Sequence, residues 1–156
     1  NMDRQVAVST LIMTGQRAYY MLVPLRKGDI VSNVHLVVTT AGETMSLSKA
    51  GLYTRAGALL GASADQGTAW QSMGLKTAAL ASPVEVPATG AYYVALLANG
   101  GTLPTLMRSG LATHATVPIG SGATPYGIES SLSDLPATAT ISHTTPGVCS
   151  YWVRLS

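Results

Sequence analysis

The feature that most constrains this chain is a charge-free apolar stretch, residues 90–99 (GAYYVALLAN), which begins with glycine and is followed by two more. Side chains of a β-strand alternate between its two faces. That alternation gives two apolar faces, with Tyr92, Val94 and Leu96 on one and Ala91, Tyr93, Ala95 and Leu97 on the other. The stretch therefore predicts a central strand whose first face builds the core. We expect either the C-terminal third of the chain or a neighbouring subunit to cover the second face.

Similar apolar stretches recur along the chain and are separated by turn residues. Glycine, proline, asparagine and aspartate punctuate them, and no stretch shows the period of an amphipathic helix. The pattern predicts about eight to ten short strands at intervals of roughly 8–12 residues, the clearest at residues 18–25, 30–40, 47–54, 58–63 and 75–80. Such strands bury their apolar faces against a second sheet. We therefore expect an all-β fold, an antiparallel β-sandwich or jelly roll.

The length of 156 residues predicts a single domain over residues 1–156, with a core of its own. Because the sequence starts at Asn1, we expect this domain to belong to a longer protein. Residues 6–13 form either a first strand or an arm that leads in from a preceding segment, within an expected N-terminal arm or linker over residues 1–15. Residues 109–147 are rich in Gly, Ser, Thr and Pro, which predicts a long, loop-rich excursion. Residues 148–155 then return as a closing strand, with the following side chains facing inward: Cys149, Tyr151, Val153 and Leu155.

Charged residues make up only 10% of the chain, against roughly 25% in an average globular protein. So low a charge fits a turn-rich sheet protein, and it also fits a protein whose surface other subunits cover. Nine basic and seven acidic residues are spread thinly, with Arg26 and Lys27 as the one adjacent basic pair. Nucleic acid is therefore not expected as a partner. Membrane insertion is not expected either, because no apolar run approaches the ~18–20 residues of a membrane span.

No constellation of residues in the sequence indicates catalysis or metal binding. His35, His114 and His143 are far apart and lack the spacing of metal ligands. The Gly-x-Ser-x-Gly motif of a hydrolase nucleophile is absent, and Cys149 is the single cysteine, which excludes a disulfide within the chain. We therefore expect a non-enzymatic protein without cofactors. One alternative stays open, since carboxylates distant in sequence can meet at the ~5–10 Å of a small carbohydrate-active enzyme.

The order of short motifs between Tyr19 and Met107 resembles a β-sandwich module of tail and fibre proteins, the receptor-binding proteins of double-stranded DNA phages of actinobacteria. The motifs are residues 25–34 (LRKGDIVSNV), 50–53 (AGLY), 62–65 (ASAD) with Trp70, 76–80 (KTAAL), 86–94 (VPATGAYYV) and 104–106 (PTL). The resemblance covers a little over half of the chain, and the C-terminal third departs from it. It implies a non-enzymatic virion component, usually a homotrimer, displayed at a tail or fibre tip. Its partners would be a host-surface glycan or other virion proteins.

Aromatic residues provide candidate contacts for such a partner, because Trp and Tyr combine a flat apolar ring with a polar edge. The sequence has no Phe, two Trp and seven Tyr. We predict contacts from Trp70 and Gln71, which share a polar stretch, from Tyr126 in a Gly/Pro-rich loop, and from Trp152 on the closing strand. The alternative interpretation is structural: Trp70 caps one end of the sandwich, and Tyr126 anchors its loop.

Host attachment by a phage tail or fibre domain is accordingly the leading functional hypothesis, with binding rather than chemistry as the activity. Several weak sites in a multivalent array would reach useful avidity. The alternative is a virion decoration or assembly domain that binds other capsid or tail proteins. In both cases the protein would be located in the virion, and in the first it would act outside the cell.

Overall fold

A computed structural model describes residues 9–108, 126–141 and 151–156 of the chain. These residues form ten strands and one short 3-10 helix, Ala69–Gln71. The strands are β1 Ser9–Ile12, β2 Arg17–Leu25, β3 Ile30–Thr40, β4 Glu43–Thr54, β5 Leu59–Ala62, β6 Gly74–Glu85, β7 Gly90–Thr102, β8 Thr105–Arg108, β9 Tyr126–Ser130 and β10 Arg154–Leu155. The predicted all-β class is confirmed, whereas the finer assignment to a jelly roll stays a prediction.

The strands form two antiparallel sheets, each named here after its central strand. In the β7 sheet the order is β5-β4-β7-β2-β9. The β3 sheet has the order β1-β8-β3, with β10 and β6 also paired to β3. Strand β10 pairs with β3 at Val34 and His35, and β8 pairs with it at Val38 and Thr40. These two short strands therefore follow one another along β3, opposite the long partner β6.

The core lies between the two sheets and is built by the faces that the alternation predicts. Tyr92, Val94 and Leu96 of β7 are buried together with Val34 and Leu36 of β3. Aromatic and β-branched side chains favour strands, because they pack well on a pleated surface. The prediction that the first face of residues 90–99 builds the core is therefore confirmed.

A second apolar cluster covers the outer face of the β7 sheet. The sheet contributes Tyr93, Ala95 and Leu97 from β7, with Tyr20 and Tyr53 from its two neighbours. Residues 131–141, named the strap below, lie over this face and contribute Leu132, Leu135, Ala139 and Ile141. Of the two covers predicted for the second face of β7, the structure therefore shows the C-terminal third of the same chain.

Backbone hydrogen bonds hold the strap against the turn between β4 and β5. Ala139 N donates to Gly57 O at 2.8 Å, and Leu59 N donates to Ala137 O at 3.0 Å. Gly57 has a φ of 92°, and a Cβ there would lie 2.5 Å from Ala139 O. The turn therefore requires glycine twice over, for its left-handed backbone and for the close approach of the strap.

Residues 9–13 belong to the sandwich. Strand β1 pairs with β8 along its whole length, from Ser9 opposite Arg108 to Ile12 opposite Thr105. Met13 is buried in the core between the sheets. Of the two alternatives for residues 6–13, the structure therefore shows the first strand at residues 9–12, and the arm is wrong there. Residues 1–8 lie outside the described residues.

The loop-rich excursion predicted for residues 109–147 is wrong for residues 126–130. These residues form β9, which pairs with β2 from Arg17 opposite Ser130 to Met21 opposite Tyr126. Their sequence, YGIES, has Tyr126 and Ile128 as strand-favouring residues, but glycine and glutamate between and after them weaken the pattern. The strand forms because the edge of β2 offers unpaired backbone groups. Residues 109–125 and 142–147 fall outside the described residues.

Of the closing strand predicted for residues 148–155, the structure describes residues 151–155. Among these, regular pairing is limited to β10, and Tyr151 forms an isolated bridge with Arg108. Tyr151 and Val153 lie in the core as predicted. Trp152, whose side chain was expected on the opposite face, is buried as well. Cys149 lies outside the described residues.

Candidate functional site

Three chain segments meet at one end of the sandwich and border a cleft of about 560 Å³. They are the turn between β1 and β2, the start of β4 and the end of β7. This cleft, named the end cleft below, is lined by Gly15, Gln16, Thr44, Ser46, Asn99, Gly100 and Gly101. All seven residues are uncharged. The volume lies within the range of about 300–1,000 Å³ that small-molecule sites occupy.

Asn99 ties the walls of the end cleft together. Its Oδ1 accepts a hydrogen bond from Gln16 N at 2.5 Å. Its Nδ2 donates to the carbonyl oxygens of Leu132 and Ser133, at 3.3 and 3.2 Å. One side-chain amide therefore links the β1–β2 turn, the end of β7 and the strap, and it fixes the shape of the cleft.

Strained backbone is concentrated at the end cleft. Gln16 has a φ of 56° and Thr44 a φ of 49°, a left-handed region that is unfavourable for side chains, above all β-branched ones. Such conformations cost on the order of 1–3 kcal/mol each and persist only where the surroundings enforce them. The Thr44 hydroxyl donates to Glu43 O at 2.8 Å. Gly100 approaches this turn so closely that a Cβ on it would lie 2.8 Å from Thr44 O.

The end cleft presents hydrogen-bonding groups that the protein itself does not use. Gln16 and Ser46 are exposed, and their side chains form no hydrogen bond with the part of the chain that the structure describes. Gly100 and Gly101 are exposed too, and without a Cβ they let a ligand approach the backbone closely. The lining residues that the structure describes include no carboxylate, imidazole or thiol. The arrangement is therefore suited to binding a neutral polar molecule.

Trp70 does not reach the surface. It lies on the 3-10 helix, is 0% exposed and belongs to the core between the sheets. Gly42 N donates to Trp70 O at 3.1 Å, which places the helix beside the start of β4, at the same end as the end cleft. The predicted contact required an exposed ring, and that expectation is wrong because the indole fills the end of the core. Its position fits the alternative interpretation of a cap on the sandwich.

The other predicted contact residues lie in separate parts of the fold. Gln71 is exposed at the end of the 3-10 helix. Tyr126 is half-buried and begins β9, opposite Met21. Trp152 is 5% exposed, and its N donates to Met107 O in the β3 sheet. The structure therefore does not bring the four residues into one site, and of the four only Gln71 is exposed.

His35 takes part in a row of hydrogen-bonding side chains on the outer face of the β3 sheet. Its Nδ1 lies 3.0 Å from Thr77 Oγ1, and its Nε2 lies 2.8 Å from Ser156 Oγ. Burial first, and then the charge of Arg154, lower the pKa of His35 below its ordinary value. A catalytic Ser-His pair uses an acidic partner that stabilises the imidazolium, whereas here a cation disfavours it. We interpret the row as a link between β3, β6 and the residue after β10.

Polar side chains under the strap serve the fold. Tyr20 OH donates to Glu129 Oε2 at 3.0 Å, and Tyr53 OH donates to Pro136 O at 2.8 Å. Burial is the main cause that raises the pKa of both tyrosines above the ordinary value. Both hydroxyls are therefore neutral hydrogen-bond donors that hold the strap, and they are not candidate nucleophiles.

Within the described ranges, no group of three or more His, Cys, Asp or Glu side chains could hold a metal ion. His114, His143 and Cys149, which the sequence singles out, lie outside those ranges. Among the described residues there is also no helix with the length and hydropathy to cross a membrane.

Sequence reasoning does not find the end cleft. Gln16, Thr44, Ser46 and Asn99 are far apart in the chain, and each is an ordinary turn or strand-end residue. One signal was available, because antiparallel strands reverse direction at each turn and alternate turns therefore lie at the same end of a sandwich. Residues 15–16 and 41–42 occupy turns of that kind and residues 100–101 end β7 beside them, so grouping these segments would have indicated where polar residues converge.

Comparison with known protein families, with curated proteins and with solved structures finds no match for this chain. The resemblance of residues 19–107 to phage tail and fibre modules is therefore untested and stays a prediction. The fold and the geometry of the end cleft are properties of the chain's own residues and do not depend on it.

Proposed function

We propose that the protein is a non-enzymatic host-attachment domain of a phage tail or fibre and that the end cleft is its contact surface. The observation that carries the proposal is the end cleft itself, a preformed and uncharged cleft on the turns at one end of a sandwich. Turns on a rigid scaffold are the usual place for binding residues. The described residues of the cleft lining place no carboxylate or imidazole beside the hydroxyls of Ser46 and Thr44 to act as a base, which favours binding over chemistry.

The motifs of the resemblance support the proposal by their positions in the fold. Residues 25–34 make the turn from β2 into β3, residues 50–53 lie in β4, and residues 86–94 lead into β7. Strands β4 and β7 form two walls of the end cleft, so the motifs belong to the framework that holds it. The strap lies beyond the resemblance, but it reaches the same cleft through Asn99.

The proposal includes a homo-oligomer, with a trimer favoured, that is displayed on the virion. On the outer face of the β3 sheet, Ile12 and Leu75 are each 55% exposed, and the neighbours Thr77 and Ala79 are exposed and uncharged. The end cleft on its own would bind weakly, because each neutral hydrogen bond adds only about 0.5–1.5 kcal/mol. Several linked copies would raise the avidity without any new contact.

Two measurements on the purified chain test this function. Light scattering should give the mass of a trimer, and labelled protein should bind whole actinobacterial cells in a sedimentation assay. Gram-negative cells, which present a different outer surface, are the control and should not bind it. A protein that binds no envelope material from any actinobacterium tested, and that binds virion proteins tightly, would overturn the attachment role.

A virion decoration or assembly domain is the second candidate function. It is favoured by the exposed apolar side chains of Ile12, Met73 and Leu75, which would contact another structural protein. If this candidate is right, Leu75→Glu should abolish binding to capsid or tail proteins in a pull-down. Ser82→Glu, at an exposed position of the same strand, should leave that binding intact.

A further inference from the structure

We infer that the end cleft binds a neutral saccharide, with Gln16 and Ser46 as the contacting side chains and Asn99 as the residue that positions Gln16. The inference rests on the proposed function, because it names the class of ligand that the attachment surface takes. A hexose unit of a neutral host-surface glycan is the expected occupant.

The lining of the end cleft disfavours most other classes of ligand. Its described lining residues include no Lys, Arg or His, so phosphates, carboxylates and acidic sugars lack the charged partner that anion sites use. They include no aromatic ring either, so a nucleobase lacks a surface on which to stack, and a sugar would be held by hydrogen bonds and not by the aromatic contacts that the sequence suggested. The seven lining residues include no large apolar side chain, so an acyl chain has nothing to bury against. The chemistry that remains is a neutral ligand rich in hydroxyl groups.

The unused groups of the cleft match the hydroxyls of a sugar, which both donate and accept hydrogen bonds. The Gln16 amide offers donors and an acceptor, and the Ser46 hydroxyl offers one donor and two lone pairs. The Thr44 hydroxyl already donates to Glu43 O, so it is left as an acceptor. Gly100 and Gly101 carry no Cβ that would keep a pyranose ring away from the wall.

The strained backbone holds these groups in place before a ligand arrives. Asn99 Oδ1 accepts from Gln16 N, where φ is 56°, so the amide of Asn99 stabilises the left-handed conformation that presents the Gln16 side chain. Both donors of the Asn99 amide are used on the strap. Asn99 is therefore a positioning residue. Preorganisation of this kind reduces the ordering cost of binding, which matters most for a weak neutral ligand.

An NMR titration of the isotopically labelled full chain tests the inference. The neutral probes are glucose, galactose, mannose and N-acetylglucosamine, and glucuronic acid is the charged probe. We expect at least one neutral probe to cause saturable shifts at the amides of Gly100 and Gly101 and at the side-chain amide of Gln16. The affinity of a single site should be in the millimolar range, on the order of −4 kcal/mol.

Three variants separate contact, position and fold. Ser46→Tyr fills the cleft and should weaken sugar binding at least tenfold, whereas Ser82→Tyr, exposed on β6 and outside the cleft, should leave it unchanged. Asn99→Asp keeps an acceptor for Gln16 N and loses the donors to the strap, so it should weaken binding several-fold. Amide exchange at Ala139, where the strap meets the β4–β5 turn, should stay unchanged in Asn99→Asp, which a general loss of structure would not allow.

The results that overturn the inference are specific. The first is the absence of shifts at the cleft amides with every neutral probe. The second is a stronger response to glucuronic acid than to the neutral sugars. The third is sugar binding by Ser46→Tyr as tight as that of the wild type. If Ser46→Tyr binds actinobacterial cells as well as the wild type does, the cleft is not the saccharide site, while the attachment role stands. If the wild type binds a neutral sugar in the cleft but binds no cells, the attachment role fails and the saccharide site stands.

Discussion

The two sheets of the sandwich differ in what covers their outer faces. On the β7 sheet, Leu97 and Tyr53 are fully buried beneath the strap. On the β3 sheet, Leu75 and Ile12 occupy the outer face and are each 55% exposed. A strand that is covered on both sides is apolar throughout, whereas a strand with one solvated side alternates. The two-sided pattern of residues 90–99 thus marks the sheet that the chain itself covers.

The polar groups of the two faces differ in the same way. Beneath the strap, the hydroxyls of Tyr20 and Tyr53 are bonded to Glu129 and to the Pro136 carbonyl, as burial requires. On the β3 sheet, the row around His35 stays partly exposed to solvent. The covered face behaves as a second core and is expected to carry stability. On the outer face of the β3 sheet, Val37 is buried beside Leu75, whereas Leu75 and Ile12 are exposed, and among the described residues these two offer apolar contacts to other molecules.

Truncating Leu97 should have the largest effect that distinguishes the faces. Leu97→Ala should destabilise the fold by about 2–5 kcal/mol, the cost of a cavity in a core, and Leu96→Ala on the inner face should cost a similar amount. Leu75→Ala should change the stability by less than about 0.5 kcal/mol. Urea unfolding at one fixed protein concentration measures all three. A cost for Leu97→Ala as small as that for Leu75→Ala would mean that the strap does not seal the β7 sheet.

The contact between the strap and Gly57 should have the next largest effect, and Gly28 provides a matched control. Both glycines have left-handed φ values, 92° and 86°, but a Cβ on Gly28 meets nothing within 4 Å. Gly28→Ala should therefore cost only the backbone strain, about 1 kcal/mol. Gly57→Ala should cost about 1–3 kcal/mol more, because its Cβ overlaps Ala139 O. Faster amide exchange at Ala139 should accompany it, and equal costs for the two variants would contradict a tightly bound strap.

Much of this contrast could be predicted from the sequence, because it depends on alternation. Tyr92 and Tyr93 fall on opposite faces in any strand, so the sequence predicts both the core face of β7 and a cover for its second apolar face. Strand β9 could not be predicted from the sequence. Only Tyr126 and Ile128 of its five residues favour a strand, and the segment pairs because β2 offers an edge, which is a property of the assembled sheet. The burial of Trp70 likewise depends on where the two sheets leave the end of the core open.

The end cleft could not be predicted for a different reason. Its residues come from three segments, and their chemistry arises from proximity and not from any local motif. Asn99 looks like the end of a strand, and only the fold shows that its amide joins Gln16 to the strap. Thr44 carries no sequence signal of a left-handed backbone, since glycine or asparagine is the usual residue there.

The Lys49–Asp134 ion pair on the strap, at 2.7 Å, should make a small and acid-sensitive contribution to sealing the β7 sheet. Burial acts to raise the pKa of Asp134, but hydrogen bonds from Lys49 and Leu135 N and the charge of Lys49 outweigh it and hold the pKa below its ordinary value. The stabilisation is therefore present above the unfolded-state pKa of about 3.9 and is lost as the pH falls through the lower folded-state pKa. Because Asp134 is exposed, the effect should stay below about 1 kcal/mol.

Lys49→Met measures this contribution through urea unfolding at pH 7 and at pH 2. The variant should be slightly less stable than the wild type at pH 7, and the difference should shrink towards pH 2 as the folded protein also takes up a proton at Asp134. A difference that persists unchanged at pH 2 would assign the effect of Lys49 to packing and not to the ion pair.

The titration of His35 should have the smallest effect on stability, and it reports on the outer face of the β3 sheet. Burial and the charge of Arg154 lower the pKa of His35 in the folded protein. As the pH falls below the ordinary pKa of histidine, the unfolded chain therefore takes up the proton before the folded protein does. Stability is lost as the pH falls from the unfolded-state pKa to the folded-state pKa. An NMR titration of the imidazole, assigned with His35→Gln, should give a pKa below 6.5. Arg154→Gln should raise it, whereas Arg55→Gln, exposed on a turn of the β7 sheet, should not. A His35 that fails to titrate with solvent, or that ignores Arg154→Gln, would show that this face is covered after all and that the two outer faces are alike.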